Sequence, residues 1–181
     1  MKLLVVGGGG REHSLAWKLS QSSLVDKIYA APGNGGIEEI AECINIEATD
    51  IDKITKFAKN VDLVVVGPEA PLAEGIANYL PKGKVFGPTK EAATIEADKS
   101  FAKKLMKKMN IPTADFKVFN NNEDAILFLK TSKYPIVIKA SGLAAGKGSF
   151  VVKDKEEGLS VIEKVMEERI LGDAGDKVVI E

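Results

Sequence analysis

Four consecutive glycines, Gly7–Gly10, separate an apolar run, Leu3–Val6, from a helical pattern, Arg11–Ser20. This junction constrains the fold more than any other stretch. Four apolar residues without polar alternation read as a strand buried on both faces, the kind that sits inside a parallel sheet. A helix entered through a glycine turn then starts a strand–helix–strand crossover. The pattern recurs. Lys27–Ala31 reads as a second strand, stopped by Pro32-Gly33-Asn34. Thr49 or Asp50 caps a helix that carries Ile51, Ile54 and Phe57/Ala58 on one face. Val61–Val66 reads as the third strand. Leu72, Ile76, Ala77 and Leu80 mark one further helix, and Lys84–Phe86 a short fourth strand before Gly87-Pro88. The expectation is an α/β chain whose residues 1–97 form a doubly wound, parallel-sheet, Rossmann-like domain.

Further along, the order of elements changes. Thr89–Met109 reads as helical in two pieces broken near Asp98, and Phe116–Phe119 as a strand. Asn120–Asn122 caps a helix through Leu129, and Tyr134–Ala140 and Ser149–Lys153 read as strands joined by Ser141–Gly148. Glu156–Leu171 is expected to be one helix with Leu159, Ile162, Val165/Met166 and Ile170 on its apolar face. Val178–Ile180 reads as a last strand with no partner downstream, whose edge is open to pairing with another copy. Residues 98–181 therefore read as an α+β lobe with antiparallel pairing.

Composition removes several classes of function. The 181 residues suit one domain or two small ones. With 25 Lys+Arg against 26 Asp+Glu, the chain lacks the basic excess of a duplex binder, so no nucleic-acid partner is expected. A single cysteine, Cys43, and a single histidine, His13, exclude an internal disulfide framework and a His- or Cys-rich metal cluster. Apolar stretches such as Leu63–Val66 and Ile136–Ile138 are too short to cross a bilayer, and Met1–Val6 runs into glycines without a cleavage signal. A soluble, cytoplasmic chain is expected, with neither membrane nor obligate protein partner.

Two segments point to chemistry. At Gly7–Gly10 the backbone amides and a helix N-terminus favour an anion. A dinucleotide fingerprint is incomplete, because the third glycine position holds Glu12 or His13 and the second strand ends without an acid. One terminal phosphate fits better, the alternative being a tight turn with no ligand. The second segment, Lys139–Gly148, departs from a Walker loop: three residues separate Gly142 from Gly146, and Gly148 stands where Ser or Thr belongs. It reads as a mobile flap between two strands, with Lys147 at its tip able to close over a polyphosphate. Lys139 ends an apolar run, so it either faces a ligand or is a solvated strand end; the ligand reading is favoured. Lys103, Lys104, Lys107 and Lys108 read as a solvated helix face, Trp17 as core or interface packing, and His13 and Cys43 as structural. Lysines and glycine amides supply the positioning and charge neutralisation that phosphoryl transfer needs.

These segments carry a resemblance. Val5–Leu19 (VVGGGGREHSLAWKL), Ala31–Gly36 (APGNGG), Val65–Ile76 (VVGPEAPLAEGI), Phe86–Met106, Ile111–Phe116 (IPTADF), Pro135–Gly148 (PIVIKASGLAAGKG) and Gly172–Glu181 together resemble the phosphoribosylamine–glycine ligases, ATP-grasp enzymes of purine synthesis. Gly8 departs from the pattern, at a position where a more polar residue is expected. The resemblance implies a pre-ATP-grasp domain followed by an incomplete ATP-grasp lobe. It further implies a reaction in which ATP activates glycine as an acyl phosphate that 5-phosphoribosylamine attacks. By similarity, Lys99, Lys139, Gly142, Gly146, Lys147 and Gly148 would hold ATP, with Glu181 opening the hinge against which adenine stacks. Gly8, Gly9, Gly10, Pro68 and Glu69 would face the phosphoribosylamine. The family's Mg2+ (or Mn2+) ligands are expected beyond residue 181, with no catalytic side chain inside these residues, so the chain reads as an N-terminal piece that folds but is inactive alone. The competing readings are a biotin-dependent carboxylase or another purine-pathway ATP-grasp ligase, a non-catalytic nucleotide-binding module, and an NAD-dependent oxidoreductase.

Overall fold

The computed structural model describes residues 1–181, which divide into two compact units, Met1–Ala93 and Thr94–Glu181. In the first unit, β1 (Lys2–Gly7), β2 (Lys27–Pro32), β3 (Glu42–Cys43), β4 (Leu63–Val66) and β5 (Val85–Phe86) form one parallel sheet in the order β3-β2-β1-β4-β5. The central strand β1 is apolar throughout because both of its faces are covered. Leu4 and Val6 pack with Ile54, Val64, Leu72 and Ile76 on one side, while Val5 packs with Ala16, Ile28, Ala30 and Ile37 on the other. β3 is a two-residue strand, too short for a periodic pattern.

The helices of this unit are α1 (Gly10–Ser20), α2 (Ile51–Phe57), α3 (Glu69–Glu74) and α4 (Ile76–Tyr79). Asp50 caps α2 by accepting from the Lys53 amide at 3.1 Å. The single helix expected around Leu72–Leu80 is two short ones, because Gly75 lies between them at φ +95°, a left-handed conformation that closes α3. On α1, Glu12 and Ala16 are buried, whereas Trp17, one step further round, is 55% exposed rather than packed in a core.

α5 (Lys90–Ala97) carries the chain from the first unit into the second, and α6 (Lys99–Lys108) follows after a break at Asp98. Asp98 is extended (φ −131°, ψ 102°) and caps α6 through the Phe101 amide at 3.0 Å. The second unit then contains β6 (Lys117–Phe119), α7 (Asn122–Leu129), β7 (Ile136–Ala140), β8 (Ser149–Val152), α8 (Lys155–Ile162) and β9 (Val178–Ile180). Its four strands are antiparallel in the order β6-β9-β7-β8. One face buries Ile138, Ala140, Val178 and Ile180 against Ala125, Leu129, Ile162 and Val165.

Two expectations change here. Val178–Ile180 is not an open edge: β9 lies between β6 and β7, with Val179 opposite both Val118 and Lys139. The sheet edges are β6 and β8. The helix expected through Leu171 ends early, α8 passing into a π-turn over Glu163–Glu167. Arg169 then adopts φ +53°, and Ile170 is 53% exposed instead of joining the apolar face.

Candidate functional site

In the first sheet, β2 and β3 lie to one side of β1 and β4 and β5 to the other, so strand order reverses between β1 and β4. Open α/β sheets place ligands at the carboxyl ends of the strands beside such a reversal. The two loops emerging there are Gly7–Gly10 after β1 and Gly67-Pro68-Glu69 after β4. They are in contact, since a Cβ added at Gly7 would stand 2.9 Å from Pro68 Cδ. Arg11 ties them further by donating to the Gly67 carbonyl at 2.5 Å, with Glu69 3.8 Å away. The Asn34 side chain closes the third side, donating to the Gly8 carbonyl at 2.9 Å and accepting from the Gly36 and Ile37 amides.

Glu12, which motif reading treated only as a missing glycine, organises this loop. Its side chain is nearly fully buried, Oε2 accepts the Gly9 amide at 2.7 Å, and Oε1 lies against Gly67. A Cβ at Gly67 would fall 2.1 Å from Oε1 and 2.4 Å from Cγ, so glycine is required there by close approach. The Gly9 amide is therefore held by Glu12. An anion at α1 would instead meet the first-turn amides, which have no intrahelical partner. Burial pushes the Cys43 thiol above its ordinary pKa.

In the second unit, Lys99, Lys139 and the Ser141–Gly148 loop come together. The Lys99 amide donates to the Ser141 carbonyl at 2.8 Å, and its ammonium donates to the Gly142 carbonyl at 2.9 Å. Burial, and then the nearby Lys139 charge, push the Lys99 ammonium below its ordinary pKa, against the pull of Asp98 and Glu96. An anion beside Lys99 would relieve this cost to its charged form. Lys139 ion-pairs with Glu181, whose carboxylate also takes Lys103. Burial raises the Glu181 carboxyl, but hydrogen bonds from Lys103 and Lys139 outweigh it and leave it below its usual value. Lys103 thus leaves the solvated stripe in which its spacing placed it; Lys104, Lys107 and Lys108 do remain exposed.

The glycine loop is anchored at both ends and open at its tip. Ser141 and Gly148 are buried, whereas Ala145, Gly146 and Lys147 are exposed. Ala145 (φ +46°) and Gly146 (φ +78°) turn the tip, and the Lys147 amide closes it onto the Ala144 carbonyl at 2.8 Å. At the base, a Cβ on Gly142 would stand 2.6 Å from Ala174 Cα. Gly142→Ala is accordingly expected to cost about 1–3 kcal/mol, read as a lower thermal midpoint. Wild-type stability would show that the 172–175 turn can give way.

Asp98 pins this arrangement. Oδ1 accepts from the Ser100 hydroxyl (2.6 Å), the Ser141 hydroxyl (2.7 Å) and the Phe101 amide (3.0 Å), and Oδ2 from Lys177 (2.7 Å). Burial raises its pKa, but these hydrogen bonds together hold the carboxyl well below the usual range. A separate cavity of about 580 Å³ opens on Ile111, Phe116, Phe128 and Ile180. It includes Glu181 but neither Lys99, Lys139 nor the glycine loop, so cavity volume does not mark the cation cluster.

Residues 1–96 match the family model of the phosphoribosylglycinamide synthetase N domain, and residues 97–181 that of the synthetase's ATP-grasp (A) domain. The chain belongs to the phosphoribosylglycinamide synthetase family. Among curated relatives of this family, the phosphoribosylamine–glycine ligases of Caldanaerobacter subterraneus subsp. tengcongensis and Clostridium acetobutylicum are 51% and 48% identical over 100% of this chain. The chain spans 44% of the length of each. The crystal structure of the Thermotoga maritima synthetase aligns over 100% of this chain and 43% of its own, with TM-score 0.83 and 30% identity. The biotin carboxylase domain of Hydrogenobacter thermophilus 2-oxoglutarate carboxylase, solved with ADP, magnesium and bicarbonate, aligns over 99% of this chain and 43% of its own. At TM-score 0.76 and 20% identity, that likeness is one of fold.

ATP-grasp enzymes work on ATP with Mg2+, and the two groups fare differently here. The lysine pair and glycine loop fit a polyphosphate. No group of three or more His, Cys, Asp or Glu side chains stands where it could hold a metal ion. No helix is long and apolar enough to cross a membrane.

Proposed function

We propose that this synthetase-family chain serves an ATP-dependent ligase that joins glycine to 5-phosphoribosylamine. The observation that carries the nucleotide half is the convergence of Lys99 and Lys139 on the base of the glycine loop, with the Lys99 ammonium bonded to the Gly142 carbonyl. In this reading both lysines hold ATP phosphates, and Gly142, Gly146, Lys147 and Gly148 cover them. Exclusion of water matters because the intermediate hydrolyses readily. A glycine carboxylate oxygen attacks the γ-phosphorus, ADP leaves, and glycyl phosphate forms. The phosphoribosylamine nitrogen then attacks the acyl carbon, loses a proton and expels phosphate, giving glycinamide ribonucleotide.

The loops at the strand-order reversal are proposed to receive the phosphoribosylamine. Gly8 and Gly10 border the first-turn amides of α1, Gly9 is fixed by Glu12, and Pro68 and Glu69 form the opposite wall. Glu181, at the end of β9, is assigned to the edge of the adenine site. Cytoplasmic location accords with substrates of this kind.

The whole protein, supplied with ATP, glycine, phosphoribosylamine and magnesium, is expected to release ADP and phosphate and to form a product of the mass of glycinamide ribonucleotide. ADP release dependent on bicarbonate but indifferent to glycine would instead make it a carboxylase.

A further inference from the structure

Lys103 has no role in the reaction outlined above, yet it is among the best-anchored lysines of the second unit. Its side chain is 13% exposed and pairs with Glu181, itself 10% exposed. Its ammonium donates to the Thr113 hydroxyl at 2.7 Å and stands 5.7 Å from the centre of the Phe116 ring. Lys139, the second partner of Glu181, is 29% exposed. One carboxylate thus pairs with two lysines, of which one is fixed on three sides and the other opens toward solvent.

We propose that Lys103 is a positioning residue for the nucleotide site, retaining the Glu181 carboxylate so that Lys139 is released to the phosphates. The inference rests on the nucleotide reading of Lys139 given above. If Lys139 turns to a polyphosphate, Glu181 loses one of its two cations. With Lys103 in place the carboxylate remains paired. Without it, every Lys139–phosphate contact forms at the expense of a carboxylate left nearly buried and unpaired, which is strongly unfavourable. Lys103 therefore acts on ATP through Glu181 and does not touch the nucleotide.

Calorimetric titration of the whole protein with ATP tests this. Lys103→Met is expected to weaken ATP binding about 5- to 100-fold, the usual consequence of leaving a charged group without its partner. Lys103→Arg should recover most of the affinity, because it restores a cation beside Glu181. In a Glu181→Gln background, adding Lys103→Met should cost less than two-fold, since no carboxylate remains to be held. Equal losses in both backgrounds would reveal a merely structural lysine and overturn the proposal, as would wild-type affinity in Lys103→Met. Should Lys103→Met fail to fold, Lys103→Gln, which retains a hydrogen-bond donor for Thr113, must show the same loss. Wild-type protein that binds no ATP, or Lys139→Ala that binds it normally, would overturn the nucleotide reading and this inference together. A weakened Lys139→Ala beside an unaffected Lys103→Met would overturn this inference alone.

Discussion

Lys139→Ala in the whole protein is expected to lower ATP affinity and turnover together, by roughly 10- to 150-fold, the worth of one charge-assisted phosphate contact. The loss should appear both in equilibrium binding and in kcat/KM, because the lysine would hold the phosphates in the ground state and during transfer. The substitution leaves Glu181 with Lys103, so the carboxylate stays paired and the fold is expected to survive. Lys99→Ala should fall in the same range. Lys107→Ala, on the exposed side of α6, should change neither quantity. Unchanged kinetics in Lys139→Ala would leave Lys139 only a partner of Glu181 and return the site assignment to Lys99 and the glycine loop.

Asp98→Ala is expected to cost about 2–4 kcal/mol of stability, combining a lost helix cap with a charged group and two hydroxyls left without their acceptor. It links three parts of the second unit: Ser141 at the loop base, the start of α6 and Lys177 before β9 all donate to it. The effect also has a definite pH dependence. The folded-state pKa lies below the unfolded one, so the stabilisation is fully present above the unfolded value, about 3.9. It disappears as pH falls through the folded value. Urea unfolding of wild type and variant should therefore differ most near neutrality and converge in strong acid. A difference that grows on acidification, or none at pH 7, would show that Lys177 and the serines find other partners.

Much of this molecule was legible one segment at a time. The apolar run Leu3–Val6, the punctuation at Gly7–Gly10 and Gly87-Pro88, and the cap at Thr49 or Asp50 each declare their structure within a few residues. Burial on both faces forbids polar alternation, and capping acts over three positions. The family motifs likewise lie in continuous stretches, so Lys99, Lys139 and the glycine loop could be named before any coordinates. Where local signals failed, the cause was local too. Gly75 broke one expected helix by adopting φ +95°, and Arg169 at φ +53° ended another. Periodicity records which faces are apolar and is blind to such backbone reversals.

The partnerships were invisible. Lys103 sits in a run of lysines that looks uniformly solvated, and only the passage of β9 between β6 and β7 brings Glu181, 78 residues along, to its ammonium. Glu12 occupied the place of a missing glycine in a motif; its carboxylate proved to fill the space that Gly7, Gly9 and Gly67 leave open, because the loops after β1 and β4 meet at the start of α1. The strand Val178–Ile180, the last of the chain, looked like an edge and is an interior strand because β6 and β7 pair with its two sides. Sequence by itself determined the elements, their capping and the chemical types gathered in each motif, since these depend on side-chain size, polarity and short-range sterics. Which charge neutralises which, and which edge is covered, was decided by tertiary structure alone, because pairing across a sheet joins residues whose separation along the chain carries no periodic signal.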